Sequence, residues 1–382
     1  MNVLLITEYF PSSSKGEITG GVEARCYYIA KELAKNHSVT IITSYKNSEK
    51  RKDSFDGIKI LRVGMNHNYS HSGSFFSRLN FAYNAYKIGS KLKNIDLVDG
   101  YSFITYLPTY YIGKKLEISK IITYHETWLG EWIKNKGLVT GIFGGLWEWF
   151  SLKKDWTKII SVSEFTKKRL EKNGIEKENI IVIPNGVEVS KYQKIKIKKE
   201  SLPTISCVNR LTPAKRTSDV IKAVAIVKKE VPNIQCKIVG QGEELANLKQ
   251  LSSDLGLKDN VKFLGFVKKQ EDVIKTVKSS HVYCNASVLE GFGITVVEAM
   301  ACKTPYVISD IEPFKEVTQN GKGGFLFKQN NHEDLAKKIL SLLKNKKEYE
   351  NKIKEEKELV KNYDWKNISK QTIKEYNALL KI

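Results

Sequence analysis

The chain predicts an α/β protein made of two Rossmann-like, doubly wound domains that face each other across a cleft. Three observations carry this expectation. At 382 residues the chain is longer than one ordinary hydrophobic core serves. Short apolar runs alternate with helix-length stretches in both halves, the pattern of parallel strands joined by helical crossovers. The alternation breaks at Ser190-Lys-Tyr-Gln-Lys-Ile-Lys-Ile-Lys-Lys-Glu200, a charged stretch suited to a boundary. The expected divisions are an N-terminal domain over 1–187, a linker over 188–202 and a C-terminal domain over 203–361.

The first half opens with a strand over 3–7, a loop rich in Ser and Gly, a helix over 21–35 and a strand over 39–43, which is a βαβ unit. Further strands are expected at 58–63, 97–98, 120–124, 158–162 and 180–183. The second half starts afresh, with strands at 204–208, 235–239, 261–264, 281–284, 306–308 and 324–326. Helical patterns fill its gaps at 217–229, 243–255, 270–278, 294–302 and 332–343. The Lys/Glu-rich segment 344–361 reads as a solvated helix. The last stretch, 365–382, has apolar residues at helical spacing and suits packing on one of the domains. Ligands bind such sheets at the carboxyl ends of the strands, so the cleft is the expected site.

Composition narrows the partners. Hydrophobic content is 41%, normal for a globular protein, while the formal net charge is +21. Such an excess attracts something anionic: lipid headgroups, nucleic acid or a phosphorylated substrate. A Lys-rich composition spread over a solvated surface is the alternative. The five cysteines, at 26, 207, 236, 284 and 302, show no C-x-x-C pairing. That spacing argues against zinc and a disulfide framework, and for a reducing cytosol. The N-terminus runs straight into a strand pattern, without the basic start and cleavage site of a signal peptide. No apolar run approaches the ~18 residues of a membrane span. The expected location is cytoplasmic, with peripheral attachment to the membrane's cytoplasmic face as an extension of it.

The most informative motif is Ser287-Val-Leu-Glu290-Gly291-Phe292-Gly293-Ile294-Thr295-Val-Val-Glu298. It places one carboxylate in a loop and a second on the helix that follows. Gly291 and Gly293 let backbone approach a ligand closely, and the helix start at Ile294 and Thr295 offers N–H groups to an anion. Phosphate beside two hydroxyl-binding carboxylates describes a nucleotide sugar. Arg210-Leu-Thr-Pro-Ala-Lys215 puts two cations at another strand's carboxyl end, where a diphosphate would lie. Gly240-Gln-Gly242 follows the next strand and serves either close ligand contact or a purely structural turn. Gly20-Gly21 presents N–H groups at the first helix start but is not the G-x-G-x-x-G fingerprint, which disfavours a nicotinamide cofactor. Tyr124-His125-Glu126 follows a strand, so His125 is either a cleft residue or a structural one.

In this order, and with Ser161-Val-Ser-Glu-Phe165, Pro184-Asn-Gly-Val187 and Tyr363-Asp-Trp365, the motifs resemble the retaining nucleotide-sugar glycosyltransferases of family 4, which have the GT-B fold. The resemblance covers essentially the whole chain. It implies that Glu298 holds the ribose hydroxyls and that Arg210 and Lys215 neutralise the diphosphate with N–H groups around 292–295. It further implies that Glu290 orients the donor sugar, that His125 lines the sugar and acceptor side, that Gly20 and Gly21 border the diphosphate, and that the helix over 365–382 crosses back to the first domain. Retention of anomeric configuration is inherited from the resemblance. The expected donor is a UDP, GDP or ADP sugar of hexose type, and the acceptor a glycan or a lipid-linked molecule. No D-x-D triplet occurs, so no cofactor and no metal are expected, and Arg210 and Lys215 take the developing charge instead.

Two apolar, Lys-flanked segments, 137–154 and 75–87, read either as interfacial helices that reach an anionic bilayer or as buried helices of the first domain. Two other readings stand beside the transferase. A nucleotide-sugar 2-epimerase shares the architecture and needs no acceptor. A basic nucleic-acid or lipid binder would use the charge, yet no nucleic-acid module is found and nucleic acid is not an expected partner. A sugar-binding protein without activity is opposed by the presence of all four charged site residues.

Overall fold

A computed structural model describes the chain except Lys15, Glu17, Thr19, residues 68–74, Ile382 and the side chains of Asn135 and Lys136. Two compact units form: Met1–Asn185 with Trp365–Ile382, and Gly186–Asp364.

The first unit is a sheet of eight strands in the order β3-β4-β2-β1-β5-β6-β7-β8. In chain order its elements are β1 (Asn2–Ile6), α1 (Gly21–Leu33), β2 (Ser38–Tyr45), β3 (Lys52–Phe55), β4 (Ile58–Asn66) and α2 (Phe75–Gly89). They continue with β5 (Leu97–Gly100), α3 (Phe103–Leu116), β6 (Ser119–Tyr124), α4 (Trp132–Lys136), α5 (Leu138–Leu152), β7 (Lys158–Ser161), α6 (Glu164–Lys172) and β8 (Ile180–Val182). All ladders are parallel except β3 with β4. Central strands such as β1 are buried on both faces, which is why β1 reads as an unbroken apolar run, while the equally buried β5 carries Asp99. α1 and the C-terminal helix Trp365–Leu380 pack on one face, around Cys26, Ile29, Ile368 and Tyr376. On the other face α2 and α3 bury Phe81, Ala85, Ile104 and Ile112.

β3 is absent from the sequence expectation. Its signal is the two-residue loop Asp56-Gly57, with φ of 51° and 75°. Positive φ at both positions is the primed turn that matches the twist of a tight hairpin.

The second unit has six parallel strands in the order β11-β10-β9-β12-β13-β14. Its elements are α7 (Val189–Lys194), β9 (Thr204–Val208), α8 (Thr217–Glu230), β10 (Gln235–Val239), α9 (Leu245–Asp254), β11 (Val261–Gly265), α10 (Gln270–Ser279) and β12 (Val282–Asn285). Then come α11 (Ile294–Cys302), β13 (Tyr306–Ser309), α12 (Glu312–Val317), β14 (Gly324–Phe327), α13 (His332–Lys344) and α14 (Lys346–Leu359). Relative to β9 this is the doubly wound order 3-2-1-4-5-6, with its switch point between β9 and β12.

Two expectations need correction here. The stretch expected as a linker folds in part as α7, whose Tyr192 is buried against α11. Bulky apolar residues at 189 and 192 give that segment a face to bury. The segment expected as a solvated helix, α14, buries Glu356 and Leu359 against the domain. All five cysteines are buried free thiols.

Candidate functional site

The switch point of the second unit collects most of the charged motif residues. Arg210 and Lys215 follow β9, and Glu290 and Glu298 follow β12, so all four stand at the carboxyl ends of the two strands where the order reverses. Lys215 Nζ donates to Glu290 Oε1 at 2.6 Å and to Leu289 O at 3.4 Å. The two side chains are 15% and 17% exposed, so the ion pair is half sheltered yet open to solvent at one side. Val288 N–H donates to Ala214 O at 2.9 Å, stitching the β12 loop to the Lys215 turn. Arg210 is exposed at the rim.

Glu298 lies one helical turn into α11. Tyr192 Oη donates to its Oε1 at 3.1 Å. Burial pushes its carboxyl up, against hydrogen bonds from Tyr192 and Gln270 and the nearby Lys191 charge. A carboxylate in this state gains from any further donor, such as a vicinal diol. Lys191 Nζ is held by Gln270 Oε1 at 2.6 Å, so α7 and α10 together fix the groups around Glu298.

Gly293 precedes α11 with φ of 95°, and a Cβ there would lie 2.7 Å from the Phe314 ring. Only glycine lets the chain turn so closely into the helix. Val296 N–H closes onto Gly293 O at 3.0 Å, while the N–H groups of Ile294 and Thr295 lie ahead of the helix ladder. Thr295 Oγ1 accepts from Asn285 Nδ2 at 3.3 Å, and Phe292 is buried beside Tyr363. Gly291 lies between Glu290 and Phe292, partly buried in this loop.

For Gly240 and Gly242 the structure supplies a specific reason. A Cβ on Gly240 would meet Asn209 O at 1.8 Å, and one on Gly242 would meet Leu211 O at 2.1 Å. Asn209 N–H donates to Val239 O at 3.1 Å and Leu211 N–H to Gln241 O at 3.0 Å. The glycine turn therefore braces the backbone that carries Arg210, which is the structural-turn alternative for this pair.

The first unit holds the other motif residues. Gly20 caps α1 in an extended conformation, its carbonyl accepting from Ala24 N–H at 2.9 Å. A Cβ on Gly21 would meet nothing within 4 Å, so its backbone faces open space. His125 follows β6, with Nε2 buried and without a hydrogen-bond partner. Burial, with a smaller contribution from the Arg25 charge, lowers its imidazole to about 3. His125 is therefore neutral at neutral pH and a weak base, suited to binding and not to proton abstraction. Arg25 is fully buried and donates through Nη1 to Ile183 O at 2.9 Å, Pro184 O at 2.8 Å and Asn185 Oδ1 at 3.2 Å.

Sequence reasoning missed a second cluster at the strand ends of this unit. Glu8 Oε1 accepts from Arg78 Nε at 2.7 Å and lies 2.9 Å from His67 Nε2. Ser77 Oγ lies 2.7 Å from His67 Nδ1. Burial raises the Glu8 carboxyl, but the His67 and Arg78 hydrogen bonds and charges outweigh it and hold it below its usual value. Among the described residues no group of acids, histidines and cysteines forms a metal cluster.

Comparison with known proteins places the arrangement. The family described as Glycosyltransferase Family 4 matches residues 19–191, and Glycosyl transferases group 1 matches 188–359. A phosphatidyl-myo-inositol mannosyltransferase of Mycobacterium leprae is 31% identical over 278 residues, 68% of this chain and 67% of the relative. An uncharacterised glycosyltransferase of Haemophilus influenzae is 34% identical over 193 residues, and the chain spans 53% of its length. Among solved structures, the sucrose-phosphate synthase of Thermosynechococcus elongatus superposes with a TM-score of 0.82 at 18% identity, over 99% of this chain and 98% of that one. Anabaena HepE, in complex with UDP and glucose, gives 0.76 at 17% identity, over 99% and 100%. At such identities these two likenesses establish the fold, which is GT-B. The chain belongs to the family 4 glycosyltransferases.

Proposed function

We propose that this enzyme moves a hexose from a nucleoside diphosphate sugar to a glycan or lipid-linked acceptor, with retention of anomeric configuration and without a divalent metal. The observation that carries the reading is the Lys215–Glu290 pair at 2.6 Å at the switch point, with Glu298 on the helix that follows the Glu290 loop, in a site that penalises its uncompensated charge. The bound UDP and glucose of Anabaena HepE and the mannosyltransferase name of the M. leprae relative support the donor class.

In this reading Glu298 accepts hydrogen bonds from the ribose diol. Arg210, Lys215 and the N–H groups of Ile294 and Thr295 face the diphosphate. Cleaving the anomeric C–O bond adds negative charge to the leaving phosphate, and preorganised cations stabilise that charge as it forms. Glu290, already oriented by Lys215, holds donor-sugar hydroxyls. The neutral His125 serves as a hydrogen-bonding wall. The acceptor's proton leaves with the departing phosphate oxygen on the same face, so neither Glu290 nor His125 is needed as a general base. The enzyme works in the cytoplasm, and nucleic acid is not its partner.

The test is a product assay with UDP-, GDP- and ADP-hexoses and a panel of glycan and lipid acceptors, with and without a chelator. Chelator-resistant formation of a glycoside whose anomeric configuration matches the donor is expected. Free nucleotide or an epimerised donor formed without acceptor would favour the 2-epimerase, and loss of activity in chelator would end the metal-free account.

A further inference from the structure

α5 is built inside out. Its inward face holds the small and polar residues: a Cβ on Gly141 would lie 2.5 Å from Ile133 Cα, and one on Gly144 2.5 Å from the Trp132 ring. Glu148, the helix's one charged residue, is fully buried and accepts from Trp132 Nε1 at 2.5 Å, Trp128 N–H at 3.1 Å and Tyr124 Oη. Its outward face holds the large apolar residues, with Leu138 65% and Val139 83% exposed and Ile142, Leu146, Trp149 and Phe150 each about half exposed. A helix that faced water would show the reverse arrangement.

The patch extends onto α2. Phe75 meets Phe143 of α5 edge to face, ring centroids 4.1 Å apart, and Phe76 beside it is 73% exposed. The charge of this layer is predominantly basic. Lys87 on α2, Lys114 and Lys115 on α3, and Lys153 and Lys154 after α5 are basic, whereas Glu148 is the one acid in α2, α3 and α5. The nearest acids in the sequence are Glu117, exposed at the end of α3, Glu131 before α4, and Asp155, which is tied to Lys120 Nζ at 2.8 Å and Tyr110 Oη at 2.6 Å. On the opposite side of the sheet, α1 alone carries Glu23 and Glu32 beside Arg25 and Lys31.

We propose that the α5 face with the first turn of α2 is a membrane-docking surface for an anionic bilayer. Aromatic and aliphatic side chains enter the headgroup boundary, and the surrounding lysines meet lipid phosphates. A second copy of the chain suits this face poorly, because apposing it to itself would bring predominantly basic rims together. Docking here does not depend on the chemistry assigned to the second unit.

The experiment is vesicle flotation of the full chain, with vesicles of phosphatidylcholine alone or with about one third phosphatidylglycerol. Binding to the anionic vesicles is expected, weakening as salt rises, with at least about tenfold weaker binding to the neutral ones. Val139→Ser with Leu146→Ser should lower binding about tenfold or more at unchanged Tm, because both side chains lie on the surface. Lys153→Gln with Lys154→Gln should cost about 25-fold, roughly fivefold per lysine. Equal binding of the apolar variant and the native chain would overturn the proposal, as would absence of flotation with either vesicle. A concentration-dependent dimer abolished by the Val139/Leu146 exchange, without flotation, would assign the face to self-association instead.

Discussion

Replacing Lys215 by Met separates the two roles that its geometry allows. The lysine ammonium is 2.6 Å from Glu290 Oε1, and both side chains are about one-sixth exposed. Breaking a fully buried pair costs about 3–5 kcal/mol, and an exposed one under about 1. This half-sheltered pair should therefore cost about 1–3 kcal/mol, a fall in Tm of about 2–4 °C per kcal/mol for a unit of this size. The catalytic cost is separate. Losing one preorganised donor at a developing charge lowers turnover about 10²–10³-fold. Adding Glu290→Gln to Lys215→Met removes the orphaned carboxylate, so the double variant should recover much of the lost stability. Transfer should not recover with it, because the cation facing the diphosphate is still missing. The assay is kcat/KM for transfer from the donor that most raises Tm, beside a melt of each variant. If Lys215→Met keeps more than about a tenth of native kcat/KM, or if the double variant regains activity along with stability, Lys215 is only a structural partner of Glu290 and the charge-stabilisation account fails.

The glycine turns and the buried titratable groups respond to substitution in distinct ways. Gly240→Ala forces a Cβ to 1.8 Å from Asn209 O, so it should destabilise by about 3 kcal/mol or more, whereas Gly21→Ala, with nothing within 4 Å, should stay within about 0.5 kcal/mol in a melt. Glu298→Gln should raise the stability of the free protein at neutral pH, since burial lifts the carboxyl and its charged form is the costly one; nucleotide affinity should fall by about 10-fold or more. His125, lowered to about 3, is neutral in the folded chain and protonates near 6.5 when unfolded, so its contribution is complete above pH 6.5 and is lost as pH falls towards 3. Between pH 7 and 4.5 the native chain should lose about 2–3 kcal/mol more than His125→Gln, measured by denaturant unfolding. Asp99, buried and raised from 3.8 to about 6, has the opposite sign: its contribution is complete well below pH 3.8 and fades through pH 6, so Asp99→Asn should gain about 2.5 kcal/mol relative to the native chain between pH 4 and 7.5.

What could be read from the sequence follows the range over which each feature is encoded. Strands such as Asn2–Ile6 and Tyr306–Ser309 are buried in parallel sheets, so their apolar runs are continuous and their bounds legible. The Glu290–Glu298 motif was legible for the same reason, since its loop, glycine turn and helix are local. β3 is short and half exposed, so composition hid it, although Asp56-Gly57 announced the hairpin. The Lys215–Glu290 bond joins residues 75 apart and depends on β9 and β12 being adjacent, which only the strand order reveals. Glu8, His67 and Arg78 likewise meet because β1 and β4 flank β2. Arg25 sits in a helix whose periodicity marks it as a buried position without saying what it would bind. The inward Glu148 and outward Trp149 of α5 could not be told apart from sequence, since an apolar helix has no marked outer face.

A nucleotide-sugar site at the switch point of the second unit requires that the free chain bind one nucleotide selectively. Titrating the full chain with UDP, GDP and ADP tests it most directly, with stability as the readout. At about 100 times its dissociation constant a bound nucleotide adds roughly 2.7 kcal/mol. One nucleotide should stabilise the native chain by this amount and bind at least about tenfold more weakly to Glu298→Gln and Lys215→Met. A chain indifferent to all three, or variants that respond as the native chain does, would contradict the claim.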